Sequence, residues 1–229
     1  KPAPIMGTWL AYCESTGMKA MDFRISDPWM DPADGNGVER VIRLPKSYWC
    51  FPRPALETQI SELPAKKNGF VTFGCLNSFC KVNAKTLRAF AEVLKSVKGS
   101  KMLLCAPKGS ARERVLKAFS DCGVEAERMM FVERGLWDEY FAVYGKIDIA
   151  LDLFPFNGGM TTCDALWMGV PVVSLAGERG VSRAGLSILN NAGLPELAGG
   201  TIAEYVRIAR DLAGDLDRLA ELRRGLRER

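Results

Sequence analysis

Two stretches of this sequence set oxygen- and nitrogen-bearing side chains beside glycines. One is Phe73-Gly74-Cys75-Leu76-Asn77-Ser78-Phe79-Cys80-Lys81-Val82-Asn83, which offers Asn77, Ser78 and the cation Lys81. The other runs from Asp152 to Asp164, with Asn157, the paired Gly158 and Gly159, Met160, the hydroxyls of Thr161 and Thr162, and Asp164. A cation, hydroxyls and backbone amides that glycine leaves open to close approach suit a phosphate. A carboxylate about one helical turn further on can accept hydrogen bonds from a ribose diol. Each residue also has an ordinary structural reading. Lys81 fits a solvated loop lysine, Asn157-Gly158-Gly159 a turn, Thr161 or Thr162 a helix cap, and Asp164 a partner for its own helix dipole. Trp137 and Tyr140, three apart, fit packing as well as a base-stacking platform. The residues alone imply an anion or nucleotide site.

Both stretches fall where the hydrophobic pattern passes from strand to helix. From Gly69 onward, apolar runs at 70–73, 102–105, 129–132, 147–153 and 171–175 alternate with helical patterns. Asn83 reads as the N-cap of a helix with Leu87, Phe90, Leu94 and Val97 on one face and a stop at Gly99. Ser110 and Glu113 read as a capping box opening a helix that buries Val115, Phe119 and Cys122 and stops at Gly123. Further helices are expected at 136–143, from about Met160, near 182–192, and over 202–227. Continuous apolar strands alternating with helices predict an α/β fold with a doubly wound parallel sheet over 67–229. Such sheets bind ligands outside the carboxyl ends of their strands, where both stretches lie. No internal repeat is visible.

Residues 1–66 have a different texture. They hold eight of the chain's twelve prolines and short extended runs at 8–12 and 41–44, and they read as strands and loops that need a neighbour for a core. Residues 32–37 form a loop on turn chemistry alone.

Composition removes several classes of function. The 229 residues are 48% hydrophobic and 25% charged, which excludes disorder. Histidine is absent, so triads with a His base and His-ligated zinc are excluded within this chain. A net charge of +4 gives no argument for nucleic acid. Seven scattered cysteines without a C-x-x-C pair suit reduced thiols in the cytoplasm. No apolar run reaches the roughly 18 to 20 residues a membrane span needs, so no membrane partner is expected. The chain begins at Lys1 and ends within a charged helical pattern, so a piece of a longer protein is expected.

The spelling of the motifs narrows the field. Asn68-Gly69-Phe70-Val71-Thr72-Phe73-Gly74, the segment Asn77 to Lys81, and the long run from Asp148 to Gly177 resemble the catalytic region of the O-GlcNAc transferase and SPINDLY family, glycosyltransferase family 41. Ser182-Arg183, Gly193 to Leu197, Lys1 to Ile5, Thr16-Gly17 and Met21-Asp22-Phe23 extend the resemblance over nearly the whole chain. The resemblance implies a GT-B enzyme, with 67–229 as the Rossmann-like lobe that binds a nucleotide-sugar and 1–66 as the tail of the N-terminal lobe. It implies a protein acceptor with Ser or Thr, TPR repeats upstream, and no metal or other cofactor. By the same resemblance Lys81, the catalytic residue, contacts the donor diphosphate, Thr161 and its neighbours cap it, and Asp164 binds the ribose. Asn77, Ser78, Trp137, Tyr140, Asn157, Gly158, Gly159, Met160 and Thr162 complete the expected site.

The chain also departs from the pattern. Gly159 stands where O-GlcNAc transferases commonly carry His, Met160 where they carry a hydroxyl, Tyr140 in place of a His near the base, and Val143 in place of a basic residue. The donor implied is UDP-GlcNAc, with GDP-fucose, used by some of the SPINDLY branch, as the alternative. A non-catalytic nucleotide- or protein-binding module is the third reading. A fragment lacking the rest of the acceptor-side lobe is expected to be inactive alone.

Overall fold

A computed structural model describes residues 1–10, 12–31, 37–54 and 58–229. Most of the 32–37 loop lies outside the described residues. The C-terminal part follows the expected alternation: α1 (Pro64–Asn68), β4 (Thr72–Cys75), α2 (Ala84–Ser96), β5 (Lys101–Cys105), α3 (Ser110–Ser120), β6 (Met129–Val132), α4 (Trp137–Val143), β7 (Ile149–Leu151), α5 (Met160–Trp167), β8 (Val172–Leu175), α6 (Ala184–Asn191), β9 (Ala198–Gly199), α7 (Ile202–Ala213) and α8 (Leu216–Gly225). Before it come three short strands, β1 (Gly7–Thr8), β2 (Phe23–Ser26) and β3 (Arg40–Arg43).

The strands from β4 onward form one parallel sheet in the order β6-β5-β4-β7-β8-β9. Numbered from its own first strand, this is the 3-2-1-4-5-6 order of the Rossmann fold. All residues of β4 and β8 are buried, as a sheet covered on both faces requires. The α2 helix packs against α3 and α7, α5 packs against α6, and α5, α6 and α7 all pack against β8.

Local chemistry explains most of the boundaries. The Asn83 side chain accepts the Thr86 amide at 3.0 Å and starts α2, whose Leu87, Phe90 and Leu94 enter the core. The expected capping box at Ser110 does not form. Ser110 is itself the first helical residue, and Gly109, at φ +77°, makes the turn into α3. Cys122 is only half-buried, past the end of that helix. The expected 202–227 helix divides at Gly214-Asp215, because Asp215 accepts the Arg218 amide at 2.9 Å and caps a new helix. Gly74 does not end its strand. It pairs with Leu103 and Ala150, and a Cβ there would lie 2.4 Å from Ile147 Cδ1.

The first 66 residues give only Leu63 and Ala65 to the main buried cluster. Their three strands form a small parallel sheet, β1-β2-β3, whose buried groups are largely polar, among them Glu14, Arg24, Asp27, Asp31 and Glu39. Asp27 accepts the amides of Trp29, Met30 and Tyr48 at 2.9, 2.8 and 2.8 Å, and also the hydroxyl of Ser187 on α6. Glu14 takes the Gly180 amide at 2.8 Å and pairs with Arg179 at 3.3 Å.

One buried cation closes the opposite end of the sheet. Arg223 of α8 donates to Ser61 O, Ser61 Oγ, Ile147 O and Tyr144 O at 2.7, 2.8, 2.8 and 3.1 Å. Asp148, which faces it electrostatically, accepts the Ala65 and Thr72 amides at 2.8 Å each. Arg223→Ala would leave these carbonyls and the carboxylate without the cation, and is expected to cost about 3 to 5 kcal/mol in chemical denaturation. Arg223→Lys, which keeps the charge and loses the planar fork, should fall between. A loss below about 1 kcal/mol for the alanine variant would show that the network carries no stability.

Candidate functional site

The strand order reverses between β4 and β7, and the two glycine-bearing stretches leave the sheet from the carboxyl ends of these two strands. They meet over the switch point, where ligands of such sheets bind. A small cavity between them is lined by Asn77, Asp152, Thr161, Thr162 and Tyr144 among others.

Asp152, at the end of β7, shapes the second stretch. Its buried Oδ1 accepts the Leu153 and Gly158 amides at 2.9 and 2.7 Å, and Oδ2 accepts the Ser174 hydroxyl at 2.7 Å. Burial raises its pKa to about 6, against the pull of these donors and of Lys81. The resulting loop turns Asn157 inward. The Asn157 amide group donates to Leu153 O at 2.7 Å and to Leu175 O at 3.3 Å, so the side chain fastens the loop. The Asn157 backbone carbonyl accepts Lys81 Nζ at 3.1 Å.

Lys81 ends a single 3-10 turn, Phe79–Lys81, whose chain continues into the Asn83 cap. Asn83 Nδ2 donates to Phe154 O at 2.7 Å, tying the two loops together. The ammonium is half-buried, lies 4.1 Å from the centroid of the Phe156 ring, and has its pKa pulled down by burial while Asp152 opposes that fall. Lys81 is therefore a positioned cation, and the solvated-lysine reading is set aside.

Thr161 donates its hydroxyl to Asn77 Oδ1 at 2.6 Å, so these two expected site residues meet across the switch point. Gly159 precedes α5, and the first amides of a helix have no partner within it. The space beside the paired glycines is taken by the chain's own side chains. A Cβ on Gly158 would lie 2.6 to 2.9 Å from the hydroxyls of Thr162 and Thr161 and from Asn77 Oδ1, and one on Gly159 would lie 2.5 Å from the ring of Trp49. The glycines thus admit neighbouring side chains, a different reason from the expected approach of a ligand. Thr162 is buried, while Met160 and Ser78 are exposed, the latter with its hydroxyl 3.3 Å from Cys80 Sγ.

Asp164, in the second turn of α5, is 7% exposed, and its Oδ2 accepts the Tyr140 hydroxyl at 2.8 Å. Tyr140 in turn lies 2.7 Å from the Tyr144 hydroxyl. Burial raises the Asp164 pKa to about 6, with the Tyr140 hydrogen bond opposing it. Trp137 is 67% exposed and stacks on Phe141 with ring centroids 5.6 Å apart, at the exposed start of α4. Asp152, Tyr144 and Trp49 adjoin the candidate site, and residue typing did not single them out. Asp152 alone had a signal, as the carboxylate closing an apolar strand. The seven cysteines are free, no helix among the described residues is long and apolar enough to cross a membrane, and no metal-ligating cluster occurs among them.

Arranged in this way, the switch point brings together a positioned cation, a helix N-terminus, a threonine and a carboxylate. Comparison with known proteins agrees with the architecture. The chain aligns over its whole length with the probable UDP-N-acetylglucosamine–peptide N-acetylglucosaminyltransferases SPINDLY of Hordeum vulgare, at 38% identity, and of Arabidopsis thaliana, at 36%. It spans about a quarter of the length of these curated relatives, 25% and 26%. Among solved structures, an O-GlcNAc transferase of Thermobaculum terrenum superposes with a TM-score of 0.91 at 37% identity, over 99% of this chain and 44% of that one. A sucrose-phosphate synthase of Thermosynechococcus elongatus shares the fold at a TM-score of 0.61 and 17% identity, over 92% of this chain and 53% of that one. The family model Glycosyl transferase family 41 matches residues 58–229, and with that match and these whole-chain identities the chain belongs to glycosyltransferase family 41.

Proposed function

We propose that this chain is the donor-binding part of an inverting protein O-glycosyltransferase that moves GlcNAc from UDP-GlcNAc to Ser or Thr hydroxyls. The observation that carries this reading is Lys81, half-buried and aimed by Asn157 O at the approach to the α5 N-terminus. Residues 67–229 form the donor lobe in this reading, and 1–66 the tail of the lobe that faces the acceptor. The SPINDLY relatives, named as probable N-acetylglucosaminyltransferases, and the Thermobaculum terrenum O-GlcNAc transferase support GlcNAc as the sugar.

The chemistry follows from charge. As the bond between the anomeric carbon and the diphosphate oxygen breaks, negative charge grows on the leaving diphosphate. A fixed ammonium and the first amides of α5 stabilise that charge more than they stabilise the ground state. Lys81, which gives one of its three N–H protons to Asn157 O, would give another to a phosphate oxygen, a stronger partner. Asn77 holds Thr161 at the same helix end. Asp164, with Oδ2 engaged by Tyr140, would offer Oδ1 to the ribose, and the exposed face of Trp137 would lie towards the base. No residue of this chain is assigned as the general base, and the acceptor hydroxyl would be deprotonated by a group or water outside it.

Tyr140 favours a second donor as a test arm. A phenol held by Asp164 replaces the imidazole common near the base in O-GlcNAc transferases, which leaves GDP-fucose as the alternative donor. Calorimetric titration of the protein with UDP-GlcNAc and GDP-fucose distinguishes the two, and failure to bind either would return the lobe to a non-catalytic scaffold.

Two variants test the residue roles. Lys81→Ala in the full-length enzyme should lower turnover by about 2 to 4 kcal/mol in transition-state stabilisation, roughly 30- to 1000-fold in kcat, with little change in thermal stability. Near-normal turnover would remove Lys81 from the chemistry. Asp164→Ala should abolish the preference for UDP over its 2′,3′-dideoxy analogue, a preference of about 1 to 3 kcal/mol in the parent protein. Equal affinity of the parent for both nucleotides would show that Asp164 does not meet the ribose.

A further inference from the structure

Asp164 is joined to two tyrosines by a chain of hydroxyls whose direction is constrained by proton count. Tyr140 Oη lies 2.8 Å from Asp164 Oδ2 and 2.7 Å from Tyr144 Oη, and Tyr144 Oη lies 3.2 Å from Thr161 O. Each phenol carries one proton. While Asp164 is a carboxylate it has none to give, so Tyr140 donates to it and Tyr144 donates to Tyr140. The longer contact to Thr161 O then receives only a share of the Tyr144 proton. Once Asp164 is protonated, the same oxygens support the reverse order: Asp164 donates to Tyr140, Tyr140 to Tyr144, and Tyr144 to Thr161 O. Nothing need move by more than a hydroxyl rotation.

The surroundings favour such reversal. Tyr144 is fully buried and Tyr140 largely so, and burial raises both phenols well above their usual range, so neither ionises in place of Asp164. Three thiols face this cluster: Cys163 beside Asp164 on α5, Cys75 from the end of β4 near Tyr144, and Cys105 from the end of β5 near Tyr140. The carboxylate of Asp152, whose pKa burial also raises to about 6, lines the same cavity as Tyr144. Burial raises all three thiols too, which leaves them neutral. Among the described residues Asp164 makes no ion pair, and the Tyr140 hydroxyl supports its charge.

We infer that Tyr140 and Tyr144 are positioning residues for Asp164: their hydroxyl chain holds the carboxylate in its acceptor form and reverses when Asp164 takes up a proton, which makes ribonucleotide-sugar affinity at this site fall with pH. The inference rests on the reading of Asp164 as the ribose partner. A ribose hydroxyl needs an acceptor, and the protonated acid with its reversed chain is a poorer one. The direction follows from the burial-raised pKa of about 6: affinity is full above it and declines as pH falls through it. Removing the Tyr140 donor raises the Asp164 pKa further, so the decline must begin at higher pH.

The test uses the full-length protein and titrations of UDP-GlcNAc and GDP-fucose between about pH 5 and about pH 8, a window that brackets this titration. Both donors are diphosphate diesters and keep their own charge throughout. The parent protein should lose affinity as pH falls, up to about tenfold per pH unit at the acid end. Tyr140→Phe should begin that loss about one pH unit higher, Tyr144→Phe should shift it less in the same direction, and Asp164→Asn should give a shallower profile that keeps only the decline due to Asp152. Phenylalanine keeps each ring and its packing, so a purely structural role would lower affinity equally at every pH. Parent-like midpoints in both phenylalanine variants, with an Asp164→Asn profile shallower than the parent's, would overturn the inference and leave the ribose reading in place. An Asp164→Asn profile identical to the parent's, or no binding of either donor at any pH, would overturn the ribose reading and this inference with it.

Discussion

The geometry of the site depends on one buried carboxylate at the end of the fourth strand of a Rossmann sheet. Asp152 is 1% exposed, and three donors satisfy it: the amides of Leu153 and Gly158 and the hydroxyl of Ser174. Its own carbonyl accepts the Tyr205 hydroxyl from α7 at 3.0 Å. A carboxylate this deep is tolerated only because its lone pairs are filled. The same bonds bring Gly158 back over the strand end, and so fix where Asn157 faces and where α5 begins. Lys81 feels Asp152 twice, through the Asn157 carbonyl that Asp152 positions and through the charge that opposes its desolvation. The cation is placed by an anion it does not touch.

The first 66 residues complete a wall of the site. Trp49 occupies the space beside Gly159, and the Cys13 carbonyl would lie 2.2 Å from a Cβ on Gly180, so both glycines mark where this segment crosses the sheet's carboxyl edge. Cys13 is electrostatically close to Lys81 as well. The seam is otherwise made by buried carboxylates capturing amides and hydroxyls, Asp27 with Ser187 and Glu14 with Gly180. Bonds of this kind fix orientation more strictly than apolar contact does, because a misaligned partner leaves a buried charge unsatisfied.

The sheet was legible because parallel strands buried on both faces must be continuously apolar, and β4 and β8 obey this residue by residue. The Asn83 cap was legible for a local reason, one side chain reaching an amide three residues on. Where the reading failed, the deciding partner was distant in sequence or the competing local chemistry was close in strength. Ser110 lost the capping role to the left-handed turn of Gly109, and the last helix was divided by an Asp cap that helical periodicity does not register. The site's residue types were visible, but which way each faced was not. Asn157 turns its amide to Leu153 and Leu175, contacts set by strand neighbours that spacing cannot reveal, and Gly158 answers to Thr161 and Thr162. Tyr140 and Asp164 lie 24 positions apart, and only the docking of α4 beside α5 makes them a pair.

The groups of this site share one property that explains how they can be both rigid and exchangeable. Lys81 is held by a neutral carbonyl, Thr161 by a neutral carboxamide, and Asp164 by a neutral phenol. Each bond is strong enough to select a rotamer, which removes much of the side-chain entropy that a loose lysine or aspartate would lose on capture. Lys81 has N–H protons beyond the one it gives to Asn157 O, and Asp164 a second oxygen, so each can take a further partner without giving up its present one. Thr161 has a single hydroxyl proton, already donated to Asn77 Oδ1, and would have to release that bond to donate to a phosphate. In the proposed reaction Lys81 would therefore add a charge-assisted bond, roughly twice as strong as a neutral one, to the group on which charge grows. In that reading, pre-orientation by neutral partners would place the largest gain in interaction at the breaking bond, where it would lower the barrier.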